Sequence, residues 1–104
     1  MVIDEIHELL SSPQPEEAQP FIERLEATLT AGYAHALQLE AERWRLERRI
    51  EEIAARLAAA EVESHAGELV DLARRLTAAN ENITSLRTAL ASLRERRAEV
   101  KPAA

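Results

Sequence analysis

Apolar residues recur along this chain at alternating steps of three and four. That spacing lines one face of an α-helix and sustains a coiled-coil seam of a and d heptad positions. One stripe runs Ile22, Leu25, Leu29, Gly32, Ala36, Leu39, Arg43, Leu46, Ile50, Ile53, Leu57 and Ala60. A second runs Leu69, Leu72, Leu76, Ala79, Ile83, Leu86, Leu90 and Leu93. Each stripe is an adhesive strip that must meet another helix. A shorter amphipathic element precedes them, with Val2, Ile3, Ile6, Leu9 and Leu10 on one side. Ser11-Ser12-Pro13-Gln14-Pro15 stops it, because prolines remove donors and force extended backbone. The next helix begins near Glu16 or Glu17, with Pro20 tolerated in its first turn. The reading is one helical domain over 1–104: a short helix at 1–11, a long helix at 16–65 and a second arm at 69–100.

The two stripes differ in phase. Continuing the first forward places core positions at Ser64 and Gly67, whereas counting the second backwards places them at Val62 and His65. A phase break at a glycine predicts a turn, with Gly67 in the left-handed position just past a helix end. The alternative is one continuous helix carrying a stutter.

Flanking charges choose how the arms pair. Setting Ile53 opposite Ile83, Ile50 opposite Leu86 and Leu46 opposite Leu90 extends to Leu57 with Ala79 and Ala60 with Leu76. The flanks then match Glu40 with Arg94, Glu47 with Arg87, Glu42 with Arg96 and Glu63 with Arg75. A slide of one heptad keeps Glu40 with Arg87 but sets Arg56 against Arg75. Each exposed pair contributes under about 1 kcal/mol, yet four attractive pairs outweigh one attractive and one repulsive. The short first helix folds back with Leu10 on Ile22, Ile6 on Leu25 and Ile3 on Leu29.

Tyr33, Leu37 and Trp44 fall at e, b and b, off the seam but bordering it. Aromatic anchors on an open helix face are what protein interfaces favour. The expected fold is therefore all-α: an antiparallel coiled-coil helical hairpin with a short N-terminal helix, dimerising into a helical bundle. Arg43 and Arg97 occupy a positions, where the aliphatic stem can be buried with the guanidinium in water.

Composition narrows the chemistry. The chain of 104 residues has net charge −6, which disfavours nucleic acid as a partner. Arg43, Arg45, Arg48 and Arg49 form the densest basic cluster, but Glu40, Glu42, Glu47, Glu51 and Glu52 interleave it. There is no cysteine, so disulfides and thiolate chemistry are excluded. No apolar run approaches the roughly 18 residues of a membrane span, and the N-terminus lacks a secretory pattern. A cytoplasmic location is the expectation, with no membrane partner.

His7, His35 and His65 share no metal-ligand spacing, and Gly32 and Gly67 form no phosphate loop. No nucleophilic constellation exists. The expectation is no enzyme, no cofactor and no metal, but a module that binds itself or another protein. Length, acidity and hairpin architecture are similar to the WxG secreted proteins, yet Trp44 lies mid-helix and Gly67 has no tryptophan beside it. The architecture also resembles hairpin anti-sigma factors that bind a cyclic dinucleotide through Glu-x-x-x-Ser-x-x-Arg-x-x-x-Gln-x-x-x-Asp. Glu81 and Ser85 have the first spacing, but Thr88, Ser92 and Arg96 occupy the next three places. The resemblance implies, as a second function, a regulator that sequesters a transcription (sigma) factor.

Overall fold

A computed structural model describes residues 1–12, 17–58 and 62–100, with the side chains at 57, 58 and 62–64 left out. Among the described residues there are three helices and no strand: α1 (Val2–Ser11), α2 (Ala18–Ala58) and α3 (Val62–Glu99). The Pro13–Pro15 segment, the Ala60 layer, the Leu57 side chain and the Glu63 pairing lie outside what is described.

α1 covers the expected span. Asp4 and Glu5 in its first turn suit the positive end of the helix dipole. At its end Ser11 and Ser12 donate their hydroxyls to the carbonyls of His7 (2.9 Å) and Glu8 (2.8 Å). Ser12 itself is extended. Pro20 falls in the first turn of α2, where its missing N–H costs nothing.

The helical hairpin is present, but its turn is not where the phase break predicts. α2 ends at Ala58 and α3 begins at Val62, so the second arm starts at 62 and not at 69. Gly67 is inside α3, with open space around the position of a Cβ. A glycine can sit in a helix at a cost of about 1 kcal/mol relative to alanine, and Gly67 does so.

The chain divides into two compact units, Met1–Leu37 with Thr84–Ala104, and Gln38–Ile83. In the first unit three helices share one core. Ile6, Leu9, Leu25, Ala36 and Leu93 are completely buried, with Ile22, Leu86 and Leu90 nearly so. α2 and α3 run antiparallel there: Gly32 faces Leu90, and Arg97 donates to Glu26 Oε1 from Nη2 (2.8 Å) and Nε (3.1 Å). Leu90 thus meets Gly32 and not Leu46, a shift of two heptads along α2 from the layer chosen on charge. Surface charges worth tenths of a kcal/mol yield to the fit of a leucine into a glycine notch.

α1 lies along the edge formed by the g positions of α2 and α3. Phe21, Thr28 and Ala89, all at g, are buried although they are off the a/d seam. Ile6 reaches Gly32, its Cδ1 3.7 Å from where a Cβ would stand. Glu8 of α1 accepts from Arg24 (3.5 Å), and Arg96 donates to the Ser12 carbonyl (3.1 Å). Arg96 also stacks over the Phe21 ring at 5.7 Å. An arginine on the last carbonyls of α1 complements the negative end of that helix.

In the second unit two helices pack alone. Ile53, Leu72 and Ile83 are buried, but Leu39, Leu46, Ile50, Leu69 and Leu76 remain half-buried at seam positions. A pair of helices encloses only the inner strip of each seam, and no third helix covers the rest within this unit.

Candidate interaction surface

The seam residues of the first unit are mostly spoken for by packing, whereas several in the second unit stay half-buried, so a recognition site draws on residues off the seam or on those half-buried positions. Among the described residues of α2 and α3, three large apolar side chains stand exposed: Leu37 at 65%, Trp44 at 60% and Val70 at 53%. Leu37 belongs to the first unit, where Tyr33 one turn earlier is half-buried. Trp44 and Val70 belong to the second unit. Both are b positions, on the e side of their helices, which places them away from the g edge.

Trp44 is held rather than loose. The Arg48 guanidinium, one turn on, sits 5.3 Å from the ring centroid, within cation–π range. Arg43 behaves as a snorkelling seam residue: half-buried, it donates to Asn80 Oδ1 (3.3 Å) and lies 3.6 Å from Glu47 Oε1. Trp44 therefore stands beside Arg43 and Arg45 and carries Arg48 over its face.

The inter-arm ion pairs expected from the charge pattern rested on the layer that the Gly32–Leu90 contact replaces. Glu47 pairs with Arg43 on its own helix, and Arg96 engages Ser12, Phe21 and Glu99 (3.8 Å) in place of Glu42. Glu40 is half-buried, while Glu42, Arg87 and Arg94 are exposed. The pairs Glu40–Arg94, Glu47–Arg87 and Glu42–Arg96 lose their basis with that layer.

The pairs that do join α2 to α3 within the second unit lie elsewhere. Arg49 meets Glu68 Oε1 at 2.8 Å from both Nε and Nη2, and is 3.4 Å from Glu52. His65 Nδ1 lies 3.5 Å from Glu68 Oε2. The hydrogen bond from Arg49, with its charge, holds the Glu68 carboxyl below the ordinary carboxylate range, and the same contact raises Arg49. Glu68 falls outside the second arm expected at 69–100, whereas the exposed Val70 falls inside it, one residue past the first core leucine.

The same edge of the second unit that α1 covers in the first is an open groove of about 650 Å³. Leu39, Leu46, Leu72 and Ala79, all d positions, form its floor. No group of three or more metal-ligating side chains exists among the described residues, and none of their helices is long and apolar enough to cross a membrane. Compared with family models, curated proteins and solved structures, the chain matches none.

Proposed function

We propose that this chain is a non-enzymatic protein–protein interaction module, a helical hairpin that associates with a second copy of itself through the face of α2 bearing Trp44. The observation that carries the reading is the exposure of Trp44, at 60%, on the b side of α2, off the seam. A tryptophan buries about 150–250 Å² when covered. At about 25 cal/mol per Å² that supplies a few kcal/mol toward association before its entropic cost. An aromatic ring backed by an arginine is the composition of an interface hot spot. Isologous pairing is the commonest way for such a patch to be covered.

Sedimentation or light scattering at micromolar concentration tests the reading. The expected mass is twice that of the chain, falling toward one chain for Trp44→Glu while circular dichroism stays unchanged. A native chain of single mass over the whole concentration range contradicts self-association.

A further inference from the structure

We infer that the groove on the g edge of the second unit is a docking site for a short, acidic amphipathic helix of a partner protein. This site is separate from the Trp44 face and does not depend on it.

The first unit supplies the template. There the c, d and g positions of α2 and α3 receive α1, whose Ile6 and Leu9 are fully buried and whose charges are Asp4, Glu5 and Glu8. Two arginines hold it: Arg24 at c binds Glu8, and Arg96 at g binds the Ser12 carbonyl. The groove of the second unit is lined only by c, d and g positions of the same two helices. Arg45 stands at c, three heptads on from Arg24 (45 − 24 = 21), and Arg75 stands at g, three heptads back from Arg96 (96 − 75 = 21).

Charge selects the occupant. The groove wall carries Arg45, Arg49 and Arg75 against Glu42, a net positive strip in a chain of net charge −6. Arg49 is committed to Glu68, and Arg75 makes only a loose, exposed contact with Asp71 of its own helix (4.0 Å), so Arg45, and Arg75 by exchanging that contact, are the arginines placed to meet acidic side chains. Half-buried Leu39 and Leu46 in the floor offer apolar area to an aliphatic stripe at i, i+3 and i+4. The α1 of a second copy is already engaged in its own unit, so the helix must come from elsewhere.

The test uses the full-length ¹⁵N-labelled chain and a synthetic peptide of residues 1–12 as a surrogate acidic helix. A second peptide carries Asp4→Lys, Glu5→Lys and Glu8→Lys. The acidic peptide is expected to shift the amides of Arg45, Arg49, Ala78 and Asn82 saturably. The chain with Arg45→Glu and Arg75→Glu should bind it at least tenfold more weakly and bind the lysine peptide in its stead. Both arginines are exposed, so that variant should keep its helical circular dichroism. Shifts confined to Ile22, Thr28 and Leu90 would show the peptide replacing α1 and would overturn the proposal. So would an absence of saturable shifts at millimolar peptide, or equal affinity of the native chain for the two peptides. Repeating the titration on Trp44→Ala separates the sites: unchanged binding is expected, and its loss would place the peptide on the Trp44 face.

Discussion

Leu90 of α3 packs into the notch left by Gly32 of α2, so closely that a Cβ on Gly32 would collide with Leu90 Cδ2. Leu90 is 1% exposed, so a shift of its Cδ2 must take place inside the core. The pair fixes the antiparallel register in the first unit, and Ile6 Cδ1 of α1 comes within 3.7 Å of the same Cβ position.

Gly32→Ala should therefore destabilise the chain. Overpacking costs about 1–3 kcal/mol, partly offset by about 1 kcal/mol of helix propensity. In a Leu90→Ala background, which itself costs about 2–5 kcal/mol, adding Gly32→Ala should be neutral or stabilising. Urea denaturation of the double-mutant cycle measures the coupling. Independent, additive effects would mean that the two residues do not touch.

Gly67→Ala should do the opposite. Gly67 lies within α3 with nothing near a prospective Cβ, so alanine adds propensity without a clash. The gain expected is about 0.5–1 kcal/mol, or roughly 2–8 °C in melting temperature for a domain of this size. A loss of stability would return Gly67 to a turn.

These two glycines show what the sequence could and could not reveal. Every described a and d residue of both stripes is buried or half-buried, because the 3–4 spacing is a property of the helix itself. Where the hairpin turns is different. Between Ala58, the last residue of α2, and Val62, the first of α3, the sequence holds no glycine or proline. Gly67, the glycine at the phase break, lies inside α3, and the pairing layer tied to a turn there gives way to Gly32 with Leu90. The size complementarity of Gly32 with Leu90 was in the sequence, and it would have outweighed exposed ion pairs. Trp44 and Leu37 were legible as apolar residues off the seam. The g-edge groove was not, because it becomes visible only when α1 is seen covering the equivalent edge.

Thr28 offers a third check. It is buried at a g position beneath α1, and its hydroxyl has no hydrogen-bond partner among the described residues. Thr28→Val keeps the shape and removes an unsatisfied polar atom, so it should raise stability by about 1 kcal/mol. Calorimetry on the two chains decides it; a loss of similar size would mean that the hydroxyl is bonded.

The Arg49–Glu68 contact predicts a pH signature. A carboxyl held lower in the folded than in the unfolded chain adds stability that is fully present above its unfolded value. That stability is lost as pH falls through the lowered folded value. Glu68→Gln should thus melt below the native chain at neutral pH, with the gap narrowing once pH drops below the ordinary carboxylate range. A gap that stays constant down to the acid limit would show that Glu68 is not linked to Arg49.

Trp44 is the one tryptophan in the chain, so its emission reports that site alone. Within a single chain it is exposed, so at nanomolar concentration its emission should be red-shifted and readily quenched by iodide. As concentration rises through the micromolar range the emission should move to the blue and quenching should fall, in step with a doubling of mass by sedimentation. An emission maximum that never moves while the mass stays at one chain would contradict the claim that this face is where the protein meets its own second copy.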